Sequence, residues 1–186
     1  MNVSKWSTIL VLFLFFVSSN CHSHVSHNEN DINFVSGRVV KVLDGDTYDL
    51  LLADNTIVRV RMEGIDAPEN GMPFSRKAKS YLQELCKNQT VKIKNNKFDE
   101  SGKRILSFSY LNDGRELSHE MLKAGFAWHF KKYNSDSNLA ALENEASEAK
   151  RGLWKDKNPM PPWENRKLHR QGVSTKRIFE ITEENQ

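Results

Sequence analysis

The chain has 186 residues, of which 38% are hydrophobic and 27% are charged, so it can form a hydrophobic core and is too apolar for a disordered protein. Lysine and arginine total 27 against 24 aspartate and glutamate, and a net charge of +3 excludes a histone-like or polybasic coat protein. With 2 cysteines, a disulfide scaffold and a cysteine-based zinc ribbon are excluded as well.

The first 24 residues have the pattern of a secretory signal peptide. Lys5 precedes the apolar stretch 9–17, and small polar residues follow it. This stretch is about half of the ~20 apolar residues that a transmembrane helix needs. We therefore predict a signal peptide over 1–24, a flexible linker over 25–33 and a secreted or periplasmic mature protein. Lipid anchoring at Cys21 is an open alternative.

Strands dominate the middle of the chain. Segments rich in β-branched and aliphatic residues lie at 34–43, 47–53, 56–62, 90–94 and 104–111. Asp54 and Asn55 form a tight turn signal between the second and third segments, which predicts a hairpin there. Five strands are sufficient for a small closed barrel, so a mainly β domain is expected.

Three segments have helical spacing of their apolar residues. These residues are Phe74, Ala78, Leu82 and Leu85; Leu117, Met121 and Leu122; and Leu139, Leu142, Ala146 and Ala149. Asp136 is placed to cap the start of the third helix, and Asn88, Gly125 and Gly152 are placed to end the three helices. Residues 164–186 are polar and are predicted to form a flexible or loosely docked tail.

Two acid-rich loops flank the hairpin, at 44–47 and at 63–69. Because a tight turn joins the two strands, Asp46 before one strand should lie close to Asp66 after the other. Converging carboxylates repel one another unless a cation lies between them, and their hard oxygen atoms suit Ca²⁺ or Mg²⁺ rather than Zn²⁺. Taken singly, each loop has the composition of an ordinary acidic turn.

Cationic side chains accompany these acids. Arg59 and Arg61 alternate with apolar residues along 57–62, and Lys103 and Arg104 open the last predicted strand. Paired carboxylates with guanidinium groups suit a phosphodiester substrate, because cations neutralise the phosphate oxygens while a carboxylate activates water.

The order and spacing of several segments resemble the staphylococcal nuclease (thermonuclease) family. These segments are Asp-Gly-Asp-Thr at 44–47, Arg-Val-Arg-Met-Glu-Gly-Ile-Asp-Ala-Pro-Glu at 59–69, Gly-Phe-Ala-Trp at 125–128 and Ala-Lys-Arg-Gly-Leu-Trp at 149–154. The resemblance covers 34–163. It implies an α+β domain, a five-stranded OB-type barrel with three helices, that cleaves single-stranded DNA and RNA with Ca²⁺. We expect the protein to be a monomer.

The resemblance also implies roles for single residues. Asp46 and Asp66 would bind Ca²⁺ through their carboxylates, and Ala67 through its backbone carbonyl. Glu69 would activate the attacking water, and Arg61 would neutralise the phosphate. Tyr133 falls where the family has a tyrosine against the substrate nucleotide, although an exposed or packing aromatic is an equally good interpretation.

The second catalytic arginine is ambiguous in this chain, because Lys103 and Arg104 are neighbours. Counting forward from Asp99 in the family pattern selects Lys103, whereas counting back from the turn at 112–114 selects Arg104. Arg104 is preferred since it keeps the register of the strand that follows.

A non-catalytic OB module that binds single-stranded nucleic acid by stacking and basic charge is the alternative hypothesis. Glu69 separates the two hypotheses, because hydrolysis uses a carboxylate that faces a phosphate and simple binding does not.

Overall fold

The computed structural model of the protein describes residues 34–94, 99, 101–175 and 178–179. The predicted signal peptide, the linker and Cys21 lie outside the described residues, as do residues 180–186 of the predicted tail. None of the helices in the described ranges combines the length and apolar character needed to cross a membrane.

The first three strands form the predicted antiparallel meander: β1 (Phe34–Val42), β2 (Thr47–Leu52) and β3 (Ile57–Met62). The hairpin between β2 and β3 turns at Asn55, which adopts a left-handed φ of 66°. A small polar residue tolerates this conformation and so allows the tight turn.

Five shorter strands follow: β4 (Ile65–Asp66), β5 (Thr90–Lys94), β6 (Ile105–Ser107), β7 (Ser109–Leu111) and β8 (Trp128–His129). The main sheet has the order β6-β3-β2-β1-β5-β7, and β4 pairs separately with β8. Only Phe108 separates β6 from β7, although these strands form opposite edges of the sheet. The sheet must therefore curl until its edges meet.

This curled α+β architecture confirms the predicted OB-type fold and corrects one detail of it. The fifth predicted strand, 104–111, breaks at Phe108 into β6, which pairs in parallel with β3, and β7, which pairs antiparallel with β5. A single straight strand cannot pair with both edges of a curled sheet, so the described sheet has six strands rather than five.

The three predicted helices are present as α1 (Ser75–Cys86), α2 (Leu117–Lys123) and α3 (Ser137–Glu148). Asp136 caps α3 by accepting a hydrogen bond from the backbone N–H of Asn138. Asn88 and Gly125 have φ values of 62° and 70°, the left-handed conformation expected where a helix ends. The prediction for Gly152 was wrong: α3 ends at Glu148, the left-handed residue after it is Lys150 with a φ of 51°, and Gly152 begins a 3₁₀ helix.

The core lies between the concave face of the sheet and the helices. Leu50 and Val60 from the sheet, Leu82 from α1 and Leu122 from α2 have no measurable exposure and belong to one apolar cluster. A core closed on all sides fixes the strand ends, and with them the loops that leave those ends.

A fourth α-helix, α4 (Pro162–Arg170), follows a short 3₁₀ helix (Gly152–Lys155) and was not predicted. It runs across the expected boundary at residue 164 between the domain and the polar tail. Pro162 occupies its first turn, where a missing N–H has no cost, and Asn165 is buried. The helix was not predicted because the segment is mostly polar and its stripe of apolar residues is short.

Candidate active site

A large cleft of about 1310 Å³ opens where the two acidic loops meet. The register of β2 and β3 pairs Thr47 with Arg61, so the residue before Thr47 must lie beside the end of β3. The backbone N–H of Met62 accordingly donates to the Asp46 carbonyl at 2.8 Å. The predicted convergence of the loops therefore follows from strand register.

Gly45 permits the close packing of the first acidic loop. A Cβ atom at this position would lie 2.7 Å from Cβ of Ala67 and 2.9 Å from Cβ of Ala78 on α1. A side chain would push the loop away from the second acidic loop and from α1. The glycine between Asp44 and Asp46 thus keeps the two loops in contact.

Arg61 connects the two aspartates that sequence analysis placed together. Its Nη1 lies 3.0 Å from Oδ2 of Asp46 and its Nη2 lies 2.9 Å from Oδ1 of Asp66. Asp46 also accepts hydrogen bonds from the backbone N–H of Ala67 at 2.6 Å and from the hydroxyl of Thr47 at 2.9 Å. All of these groups are buried or nearly so, and the contacts fix both carboxylates.

Arg166 on α4 provides a second guanidinium group to Asp66 and also contacts Glu69. Its Nη2 donates to Oδ2 of Asp66 at 2.6 Å, and its Nη1 donates to Oδ1 of Asp66 at 3.3 Å and to Oε1 of Glu69 at 2.6 Å. Asp66 therefore lies between Arg61 and Arg166, and Glu69 is tied to α4 through one oxygen.

The burial of these acids changes their proton affinity. Burial, followed by the negative charge of Asp46, raises the pKa of Asp44 to about 7. Burial also raises the pKa of Asp66, against the opposing effects of the hydrogen bond from Arg166 and the charge of Arg61. Additional positive charge at this end of the cleft would favour the ionised form of both aspartates.

The donor atoms of Asp46 and Asp66 fit a hard cation, because carboxylate oxygens are the ligands that Ca²⁺ prefers. Among residues 34–94, 99, 101–175 and 178–179, no group of three or more His, Cys, Asp and Glu side chains is arranged to hold a metal ion. A cation at the two aspartates would need further oxygens from backbone carbonyl groups or water, and it would compete with Arg166 for Asp66.

Comparison with known proteins identifies the family. Residues 59–156 match the family model described as staphylococcal nuclease homologue. The chain is 41% identical over 129 residues to an "Uncharacterized endonuclease" of Escherichia coli, an alignment that covers 69% of this chain and 83% of that protein. It is 33% identical over 147 residues to a "Micrococcal nuclease" of Shigella flexneri, covering 74% and 84% of the two chains. The chain belongs to the staphylococcal nuclease family.

This membership confirms the resemblance seen in the sequence. The chain is a thermonuclease-like nuclease, and nucleic acid is its substrate. Nucleases of the family are generally metal-dependent. Arg61, Asp66 and Glu69 belong to the matched residues 59–156 and line the cleft together with Asp46. This cleft is therefore the candidate active site.

Arg104 lines this cleft, whereas Lys103 is exposed and is not among the described residues that line it. Nε of Arg104 donates to Oδ2 of Asp99 at 2.6 Å. Burial of Asp99 acts to raise its pKa, but hydrogen bonds from Ser101 and Arg104 outweigh it and lower the pKa to about 2. The ionised Asp99 thus orients the Arg104 guanidinium group.

The two remaining predicted residues, Ala67 and Tyr133, also line this cleft. Ala67 is buried, and its N–H donates to Asp46. Tyr133 is 56% exposed and packs edge-on against Phe130 with ring centroids 4.9 Å apart. Every predicted site residue therefore contacts or lines one cleft.

Sequence reasoning missed two residues of the site, Trp163 and Arg166, because both were assigned to the edge of a polar tail. The missed signal was present: Trp163, Arg166, Lys167 and Arg170 have the spacing of one helix face, directly after two prolines. These residues lie beyond position 156, where the family match ends.

Proposed function

We propose that the protein is a Ca²⁺-dependent nuclease that hydrolyses phosphodiester bonds of single-stranded DNA and RNA. The observation that carries the proposal is the convergence of Asp46, Asp66 and Glu69 with Arg61 and Arg104 in one cleft. Acids for a hard cation and guanidinium groups for a phosphate are both required for this reaction, and the site provides both.

Glu69 is the residue that fits proton transfer. Its side chain is 45% exposed, one carboxylate oxygen accepts from Arg166, and the other makes no hydrogen bond with a described residue. The free oxygen accepts the proton of the attacking water as the new P–O bond forms and the P–O bond to the departing nucleotide breaks.

Arg61 and Arg104 fit the phosphate. Arg61 is held rigidly by the two aspartates and Arg104 by Asp99, so both enter the reaction already oriented. Their positive charges offset the negative charge that builds on the phosphate oxygens in the transition state. A cation held by Asp46, Asp66 and the Ala67 carbonyl would supply further charge stabilisation at the same phosphate.

We further propose that the mature protein is secreted or periplasmic and acts as a monomer. The apolar segment 9–17 after Lys5 supports export. The small net charge of the chain is compatible with a soluble enzyme that meets nucleic acid only at its cleft.

The decisive experiment incubates the purified mature protein with single-stranded DNA and with RNA, in Ca²⁺ and in excess chelator. We expect cleavage with Ca²⁺ and none with chelator. Glu69→Gln should lower kcat on the order of 10²-fold with an unchanged circular dichroism spectrum, since it removes one positioned base. Cleavage in chelator would reject the metal assignment, and a folded Glu69→Gln variant with normal kcat would reject the mechanism.

A further inference from the structure

One face of α4 lies along the substrate cleft. Trp163, Arg166, Lys167 and Arg170 are spaced at i, i+3, i+4 and i+7, and all four line the same cleft as Glu69. The cleft volume of about 1310 Å³ exceeds the ~300–1,000 Å³ of an ordinary small-molecule pocket. A single phosphate and its cation do not fill a space of this size, so α4 borders room for more of the substrate.

The aromatic groups on this side of the cleft are arranged for stacking. The rings of Trp163 and Phe130 lie parallel at 7° with centroids 5.5 Å apart, and Tyr133 packs against Phe130. All three rings line the cleft. Nucleic-acid bases stack on such platforms without regard to sequence, because every base has a π face.

The positive charges on this face differ in their availability. Arg166 is engaged with Asp66 and Glu69, and Lys167 lies 3.2 Å from Glu164. Arg170 is exposed and forms no ion pair within the part of the chain that the structure describes. It is the cation on α4 that is available to a backbone phosphate.

The position of α4 does not depend on the Arg166 ion pairs alone. Pro162 is buried, and the hydroxyl of the buried Thr175 donates to the side chain of Asn165 at 2.6 Å. Trp163 also contacts Trp128 edge-on, with centroids 6.5 Å apart. These contacts hold α4 independently of the ion pairs between Arg166 and the acids.

From these contacts we infer a second nucleotide-binding subsite on α4, formed by Trp163 and Arg170. It holds the part of a single-stranded polynucleotide that flanks the scissile phosphate, with a base against the Trp163–Phe130 platform and a backbone phosphate at Arg170. The subsite rests on the proposed function, and it explains why a helix outside residues 59–156 shares the catalytic cleft.

The test measures the dissociation constant for single-stranded DNA in Ca²⁺, using Glu69→Gln protein so that the probe stays intact. One probe is a dinucleotide and the other has about 12 nucleotides, within the ~4–16 that an OB fold covers. We expect Trp163→Ala to weaken binding of the long probe about tenfold and of the dinucleotide less than about twofold. Trp163→Phe should restore most of the loss, because it retains a ring on Phe130.

Arg170→Gln is a second, independent variant at an exposed position that leaves the fold intact. It should weaken binding of the long probe about threefold and reduce the slope of log affinity against log salt by about 0.7, the value for one phosphate contact on a single strand. Lys92→Gln is the matched control, since Lys92 is exposed on β5 and is not among the described residues that line the cleft.

The outcomes separate this inference from the proposed function. If wild-type protein cleaves DNA with Ca²⁺ but both α4 variants bind the long probe as tightly as their parent, the subsite is wrong and the function stands. Equal weakening for the dinucleotide and the long probe would also overturn the subsite, because α4 would then act on the catalytic end. Absence of cleavage by wild-type protein would reject the function itself.

Discussion

The two ends of the cleft are built in different ways. At the barrel end, Asp46 and Arg61 are fixed by backbone pairing between β2 and β3, and Asp66 by pairing between β4 and β8. At the α4 end, Trp163 and Arg166 are held through side-chain contacts with Phe130, Asp66 and Glu69. Catalysis requires its groups to be positioned to within a fraction of an ångström, and strand pairing provides this precision for Asp46, Arg61 and Asp66. We therefore expect changes at the barrel end to lower kcat and changes at the α4 end to alter binding.

The largest expected effect is a loss of kcat on substitution of Arg104, which lies at the barrel end. Arg104→Lys should lower kcat about 10²-fold, because an ammonium group cannot grip two phosphate oxygens or keep the bidentate fit of a guanidinium group. Lys103→Ala should change kcat by less than about threefold, since Lys103 is exposed and is not among the described residues that line the cleft. The measurement is kcat on single-stranded DNA at saturating Ca²⁺.

Lys103→Ala serves as the matched control, because it removes a cation one residue away. A large loss in Lys103→Ala with near-normal kcat in Arg104→Lys would reverse the assignment. Lys103 would then be the cation that reaches the phosphate, and the contact between Asp99 and Arg104 would not serve catalysis.

Most of the barrel end could be predicted from sequence because short-range rules determine it. The turn at Asp54 and Asn55 fixes the register of the hairpin, and the register brings Asp46 to Asp66. The break at Phe108 and the two-residue strands β4 and β8 could not be predicted, since they arise only when the curled sheet closes.

The α4 end escaped prediction for a different physical reason. Its segment has few apolar residues, and what stabilises it is contact with partners far away in sequence, such as Phe130 for Trp163 and Asp66 for Arg166. The helical spacing of Trp163 and the three cationic residues that follow it does not by itself predict a packed helix. Tertiary contacts therefore stabilise the helical structure of this segment.

Arg166 connects the two ends of the cleft, because it lies on α4 and forms ion pairs with Asp66 and Glu69. We therefore expect Arg166 to affect cation binding at Asp66. Both Asp66 oxygens accept hydrogen bonds from Arg166, so a cation at Asp66 must displace a guanidinium group and tolerate its charge. Arg166→Gln should tighten Ca²⁺ binding about tenfold, which corresponds to ~1.4 kcal/mol. Isothermal titration calorimetry measures this affinity without substrate or turnover.

Lys167→Gln provides the control for the charge change, because Lys167 pairs with Glu164 rather than with the aspartates. It should shift the Ca²⁺ dissociation constant less than about twofold. Equal effects of the two substitutions would mean that only net charge matters. Weaker Ca²⁺ binding by Arg166→Gln would mean that Arg166 supports the cation site instead of competing with it.

The smallest expected effect concerns Asp99, which fixes Arg104 at the barrel end. Its folded pKa of about 2 lies below the ordinary value of 3.8, so the ion pair stabilises the folded protein above about pH 4. That contribution is lost as the pH falls from about 4 through about 2, because protonation then accompanies loss of the pair. Asp99→Asn should lower the free energy of unfolding by about 1 kcal/mol at pH 7, or about 3 °C in Tm.

Urea unfolding of wild type and Asp99→Asn between pH 7 and pH 3 tests both the size and the sign of this effect. The difference between the two proteins should shrink by roughly half at pH 3, since the variant lacks the titrating group. Asp113→Asn is the matched control, because Asp113 also forms an ion pair with an arginine, Arg115. Both of these side chains are about half exposed, so the loss of stability should be smaller. A stability difference that stays constant with pH would show that Asp99 orients Arg104 through hydrogen bonds that do not need its charge.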